Sequence, residues 1–424
     1  MVGIIVVAVF FTVILVLRNV GGTAQKSTTL TFWGVFDDHM AFDKVITDFK
    51  AQNPGIDVKY QMFTYEEYEK GFVNALAAGT GPDILMIHNT WLPKYGNLLA
   101  PLPAGIPDTK NPFTVQSFKD QYVDDAYNDL VYNNHVYGIP LYSDTLALYY
   151  NKDLFNTAGI TRPPQTWDEV NTDIQRLTKL DAKGNIVQSG FGLGTSSNIN
   201  RSTDILMDMM IQSGVQMTAT DNASATFSQL VNGQPVGQLA LQYYTDFANP
   251  RSQDYTWNST QHYSVDAFTE GTLAMMADYS HESQVIRSKA PRLNFAVAPM
   301  PQASLSDVSN FANYWGAAVA AKSTHQPEAW KFLVYLGSKE GSTTYLNAAS
   351  RPAARRDLID LQRTDPDLGV FAVQALTAKS WFQIDNTAIE GIFNDMIDDV
   401  TFNRSTVKDS ISRAESRVTV LMQH

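Results

Sequence analysis

Five aromatic residues, Trp33, Trp91, Tyr142, Tyr279 and Trp315, stand at or just beyond short apolar runs, beside small or polar neighbours. An indole covers the apolar C–H face of a sugar ring, while carboxylates and amides satisfy the hydroxyl rim. Asp37 and Asp38 follow one such run, and His88 and Asn89 follow another, so acceptors and donors accompany the rings. Paired acids also suit acid–base catalysis, but adjacent residues on one element point apart, so neither Asp37-Asp38 nor Asp398-Asp399 is a catalytic pair by adjacency alone. Asp398-Asp399 reads as solvated or capping charge. For Asp37 and Asp38, ligand hydrogen bonding is an equal alternative.

Other reaction signatures are missing from the sequence. It contains no Gly-x-Ser-x-Gly, no His-Glu-x-x-His and no Gly-Lys-Ser/Thr after a glycine-rich loop. Gly190-Phe191-Gly192-Leu193-Gly194 lacks the spacing of a dinucleotide fingerprint and reads as a strand. The seven histidines are scattered, none paired with another at metal-ligand spacing, so neither metal nor cofactor is expected. With no cysteine there are no disulfides, thiolate metal sites or cysteine nucleophiles, and no lipid-accepting residue. Asn-x-Ser/Thr occurs at Asn200, Asn222, Asn258 and Asn403, which matters only in a glycosylating pathway.

The elements that must hold these groups follow from periodicity. The chain has 424 residues, 44% of them apolar, enough for two or three folding units. Its net charge of −12, with no basic cluster before Arg355-Arg356, argues against a nucleic-acid partner. Leu30–Trp33, Val58–Phe63 and Asp83–Ile87 read as strands, and residues 41–51 and 66–78 carry helical spacing. Alternation of this kind is α/β and predicts mainly parallel sheets, with ligands at the carboxyl ends of strands, here Gly34–Asp38 and His88–Trp91. Residues 131–141 predict a hairpin turning at Asn133-Asn134, and Thr166 with Glu169 predicts a capping box. Residues 217–226 read as an exposed loop. Strands are expected again at 273–277, 293–298 and 315–321, and helices at 327–336, 343–349, 387–400 and 407–422.

Val2–Leu17 is uncharged and apolar. As a helix it would span about 24 Å of a roughly 30 Å hydrocarbon core, a marginal membrane span or a signal-peptide core. Small residues at Gly22-Thr23-Ala24 offer a cleavage site, although Arg18 and Lys26 follow the apolar run and no basic residue precedes it. Residues 1–26 are therefore expected to be a signal or membrane-anchor segment, and the remainder extracytoplasmic.

The sequence resembles the extracellular solute-binding proteins of the maltose-binding-like kind, which serve ABC importers. The resemblance rests on Leu30-Thr31-Phe32-Trp33, Asn53-Pro54-Gly55-Ile56-Asp57-Val58, the run from Leu76 to Ile84, Tyr137-Gly138-Ile139-Pro140, and the run from Leu148 to Phe155. It continues through Pro164–Glu169, Phe268–Met275 and Glu328–Leu333. It implies a non-catalytic receptor of the two-lobe periplasmic-binding-protein-like fold, with a cleft between α/β lobes and permease subunits as partners. The lobes it implies are 27–146 with 271–324 and 147–270 with 325–424, hinged near Leu146–Asn151 and Gly271.

By position, the resemblance lines the cleft with Trp33, Phe36, Asp37, Asp38, His88 and Asn89, then Trp91, Tyr142, Asp144, Asp278 and Tyr279. Asn313, Tyr314 and Trp315 come from a returning strand, Arg351 from a later segment, and Trp257 and Trp381 from the second lobe. Aromatic abundance points to carbohydrate as the solute. Three alternatives stand beside it: a membrane-tethered sensor of the same fold, a receptor for a polyamine or glycerol phosphate, and a secreted glycosidase.

Overall fold

The computed structural model describes residues 27–105 and 112–423. The apolar segment Val2–Leu17 and the expected cleavage site at Gly22–Ala24 lie outside them. Among the described residues no helix is long and apolar enough to cross a membrane.

Among the described residues the first element is β1 (Thr28–Val35), which buries Leu30 and Phe32 while Thr29 and Thr31 alternate outward. Asp38 caps the helix His39–Gln52 by accepting from the Met40 amide at 2.9 Å, and the apolar stripe Ala41, Phe42, Val45, Phe49 turns inward. β2 (Ile56–Phe63) pairs parallel with β1 over its whole length. The helix Tyr65–Ala78 stops at Gly79, whose φ of 74° suits a residue without Cβ. β3 (Ile84–His88) is buried at all five positions and also pairs parallel with β1. β4 (Leu99–Ala100) follows, then the expected hairpin of β5 (Val131–Tyr132) and β6 (His135–Val136), turned by Asn133 and Asn134 at φ 48° and 59°. β7 (Gly138–Pro140) closes this first run.

The second sheet contains β8 (Ala147–Asn151), β9 (Lys179–Leu180), β10 (Ile186–Phe191), β11 (Leu273–Asp278) and β12 (Phe295–Ala298), in the order β12-β8-β11-β10-β9. β10 ends at Phe191, so the Gly190–Gly194 stretch read as a strand is mostly beyond it. Half of the expected capping box forms: Thr166 accepts from the Glu169 amide, but the Glu169 carboxylate reaches the Gln165 amide and not that of Thr166.

Two corrections follow from long-range pairing. Chain re-entry at the cleft explains the first: β13 (Asn310–Phe311) leads across to β14 (Trp315–Ala320), which starts opposite His88 at the carboxyl end of β3. β14 therefore runs antiparallel to β3, β4 and β7, and the sheets are mixed, not mainly parallel. β8 likewise starts at the cleft and pairs antiparallel with β11, Ala147 against Asp278.

The second correction concerns the lobes. One buried core runs from Leu30 to Tyr142 and from Ala312 to Ile359, with Ala372, Ala375 and Ala378; the other takes Leu146 to Phe311, Phe371, and Trp381 to Val418. Residues 273–298 thus belong with the second lobe, because β11 and β12 pair with β8. The helix Gln326–Leu336 belongs with the first, where Phe332 packs on Phe49 at 5.1 Å and Trp330 donates to the Ala100 carbonyl. Gly271 therefore sits in a turn inside the second lobe. The crossings lie side by side elsewhere: Thr145 bridges Ala312, Asn313 N donates to Asp144 O at 3.0 Å, and β13 pairs with β15 (Ala378–Lys379).

Candidate functional site

β1 ends at Val35, and a tight turn with Phe36 at φ 65° and Asp37 N bonded to Val35 O at 2.7 Å throws the Phe36 ring outward, 54% exposed. Gly34 makes the approach to this turn possible. A Cβ there would lie 2.5 Å from the Tyr60 hydroxyl, which donates to Asp37 O at 2.6 Å. Phe36 stacks on Tyr65 (centroids 5.6 Å apart, 24°) and meets Trp315 edge-on at 5.6 Å. Trp315 rests in turn on Trp91 at 5.0 Å and His88 at 5.4 Å. Phe36 and Tyr65, both exposed, and the edge of the buried Trp315 beneath them form an aromatic shelf whose base includes Trp91. Trp33 is half-buried and packs on Phe63 at 4.7 Å, away from the shelf.

Beside the shelf, Asp37 accepts from Arg351 Nη2 at 2.9 Å and from the Tyr345 hydroxyl at 2.7 Å. The same guanidinium lies 4.9 Å over the Tyr142 ring. Asp38 is occupied by its cap. His88 contacts Thr90 Oγ1 at 2.8 Å and Asn313 Oδ1 at 3.1 Å, and burial lowers it to about 4, so the ring is neutral at neutral pH. Asn89 and Tyr314 turn away from the cleft, both donating to Asp129.

The second lobe supplies a polar wall. Asp278, at the end of β11, accepts from Asn200 Nδ2 at 2.7 Å and from the Tyr279 amide at 2.8 Å. The Tyr279 hydroxyl donates to Asp204 at 2.7 Å, and its ring carries the Arg201 guanidinium at 5.6 Å. Asp144, on the first crossing, accepts from Ser280 Oγ at 2.6 Å and Thr145 N at 2.9 Å; burial pushes it up to about 6. Arg201 sits at φ 60° and is solvent-exposed, facing Asp204, Asp278, Tyr279 and Glu390, which keep it charged despite its surroundings. Burial raises Asp204, Asp278 and Glu282, and the Asp278 charge raises Glu282 further.

Across the cleft rim, Trp91 Nε1 donates to Asn386 Oδ1 at 3.0 Å, and Lys94 bridges Glu69 at 2.8 Å and Asp385 at 2.6 Å. These contacts join the two lobes at the mouth.

Besides Trp33, Asn89 and Tyr314, the two residues expected from the second lobe are placed elsewhere. Trp257 is fully buried in the second core with its Nε1 bonded to Asn198 at 3.1 Å, and Trp381 packs near Phe393 with its Nε1 on Met207 Sδ. Both indole nitrogens are satisfied inside the lobe, and Trp257, with no exposed surface, has no face for a ligand. Asp398 and Asp399 accept from Ser196 and Arg413, the structural role expected of them. Tyr65, Arg201, Asp204, His281, Glu282 and Glu390 were not anticipated. The carboxyl-end rule covers Tyr65 beyond β2 and His281 beyond β11, whereas nothing local marks Arg201.

A rigid apolar shelf faces bonded carboxylates, hydroxyls and one exposed guanidinium, an arrangement that orients a hydroxylated molecule by stacking and hydrogen bonds. Residues 36–343 match the family model for bacterial extracellular solute-binding proteins. Among curated relatives, a binding protein of Brucella abortus (strain 2308) is 24% identical over 78% of this chain and 77% of its own. The sn-glycerol-3-phosphate-binding periplasmic protein UgpB of Escherichia coli (strain K12) is 24% identical over 76% of this chain and 74% of its own. Among solved structures, the cyclic α-maltosyl-1,6-maltose binding protein of Arthrobacter globiformis superposes with a TM-score of 0.78 at 19% identity, covering 94% of this chain and 99% of its own. The sugar-binding protein MalE of Xanthomonas citri gives 0.77 at 20%, covering 93% and 97%. The fold is the two-lobe one that the sequence implied.

Proposed function

The chain belongs to the bacterial extracellular solute-binding proteins, and we propose that it is the receptor of an ABC importer, closing its lobes on a neutral sugar or oligosaccharide. The observation that carries this reading is the shelf of Phe36, Tyr65 and Trp315 opposite the carboxylates of the second lobe. The rings cover a sugar face, and Tyr142, Tyr279, Asp144, Asp278, Asn313 and Arg351 lie around it to meet the hydroxyl rim. The solute bridges both walls and binds only the closed form well, so it shifts the open–closed equilibrium by that difference in affinity. The permease then reads the closed surface.

Charge favours a neutral solute over glycerol phosphate, the ligand that the UgpB relatives are named for. A phosphate calls for free guanidinium or ammonium donors. Arg351 is engaged by Asp37, and Arg201 is ringed by Asp204, Asp278 and Glu390. The cleft is read as binding and not catalytic, a reading supported by the solute-binding family to which the chain belongs. Val2–Leu17 is read as the export signal or membrane tether, consistent with the family's extracytoplasmic location. Small-angle scattering tests closure: the radius of gyration is expected to fall when maltooligosaccharide is added and to stay fixed with sn-glycerol 3-phosphate. The reverse pattern would transfer the cleft to a phosphorylated solute.

A further inference from the structure

Beyond β11 the chain turns through Tyr279 and Ser280 into the helix Glu282–Lys289, and this turn gathers Asp278, His281 and Glu282. One ligand atom from each lies within 4.8 Å of the other two. A carboxylate, an imidazole and a second carboxylate are a donor set suited to zinc and manganese.

Independent observations point the same way. Glu282 is only 5% exposed, yet its Oε1 has no hydrogen-bond partner, which a buried carboxylate does not ordinarily tolerate. The His281 imidazole approaches Glu282 at 3.8 Å, too far for a hydrogen bond, and makes none among the described residues. Each Asp278 oxygen accepts one bond, from Asn200 or from the Tyr279 amide, and keeps a further lone pair while those donors fix its orientation. Arg201 faces the same carboxylates, with Asp204 and Glu390 around it, while Arg351 acts on His281 and Lys289 on Glu282.

We propose that Asp278, His281 and Glu282 bind one divalent transition-metal cation, zinc or manganese, on the second-lobe wall of the cleft. Three protein ligands leave the cation at least one position for water or a solute hydroxyl. The use of that position by a solute rests on the receptor reading above; metal binding itself does not, and is measured with no solute present.

The full chain, stripped of metal with chelator, is titrated with MnCl2 while the electron paramagnetic resonance of free manganese is followed, and with ZnCl2 by calorimetry. One ion per chain is expected, weakened at least tenfold in His281→Gln and in Glu282→Gln, with melting of both variants checked so that misfolding is recognised. No binding tighter than millimolar, or binding unchanged in a folded variant, overturns the site. Sugar binding that persists without metal binding would leave the receptor reading standing and remove this one.

Discussion

The Tyr314 hydroxyl donates to Asp129 Oδ2 at 2.9 Å and so ties the second crossing to a half-buried carboxyl beneath the hinge. Ser380, next to the third crossing, donates to the same carboxyl, and Ser143, at the first, donates to Asp125 Oδ2 at 3.0 Å. Asp125 and Asp129 are four apart on the helix Asp124–Leu130, so one carboxyl pair serves all three crossings.

The titratable groups that face this pair are each other and the Tyr314 phenol; Arg356 pairs with Asp124 outside, and Lys119 lies over Tyr127. Burial and then the Asp129 charge push Asp125 up to about 8, and burial pushes Asp129 to about 6. The folded chain thus holds protons that the unfolded chain releases near pH 4, so their contribution to stability is complete below about pH 4 and is lost as pH rises to about 8. Asp125→Asn should therefore be more stable than the parent at pH 9, by on the order of a few kcal/mol, and nearer to it at pH 5. Urea unfolding at the two pH values reads this, and equal gaps at both would remove the proton from the hinge.

Trp315→Ala should weaken sugar binding by at least about 1 kcal/mol, through lost burial and stacking. Calorimetry gives the number. Unchanged affinity would take Trp315 out of the site.

Trp257→Ala is expected to behave oppositely, because that ring fills the second core. It should cost about 3–5 kcal/mol of stability, lowering the urea midpoint, while the remaining folded protein binds with little change. A large loss of affinity at unchanged stability would return Trp257 to the cleft.

Lys94→Met removes the rim contacts to Asp385 and Glu69. A partly exposed bridge of this kind is worth roughly 0.5–1 kcal/mol, so affinity should fall a few-fold and the parent's salt dependence should diminish. Titrations at low and high ionic strength compare the two, and identical salt dependence would leave Lys94 without a role in closure.

Local physics made most elements legible. Helix spacing from Phe42 to Phe49 and the Asn133-Asn134 turn depend on near neighbours and formed where their residues indicated, and the strand expected at Leu30–Trp33 formed with two more residues at each end. The partition into lobes was not legible, because it depends on β11 pairing with β8, more than a hundred residues earlier in the chain. The aromatics divide in the same way. Trp315 opens an apolar run while Trp257 lies among polar residues, yet the packing of distant elements puts the first at the shelf and the second inside the core. The shelf was visible in part: Phe36 and Tyr65 lie past the carboxyl ends of β1 and β2, whereas Trp315 opens β14 and reaches the cleft because that strand runs antiparallel to β3. A search for paired histidines also passes over Asp278, His281 and Glu282, whose spacing becomes meaningful only once the turn after β11 is folded.

The central claim is that the cleft closes on an intact sugar. A thermal-shift screen of the chain from Gln25 onward, against monosaccharides, oligosaccharides, polyamines and phosphorylated polyols, tests it most directly. At about 100 times the dissociation constant a true ligand stabilises by roughly 2.7 kcal/mol. The predicted result is a shift with one class of sugar, recovered unchanged afterwards. A shift only with a polyamine or a phosphorylated polyol, or a sugar recovered cleaved, would contradict the account.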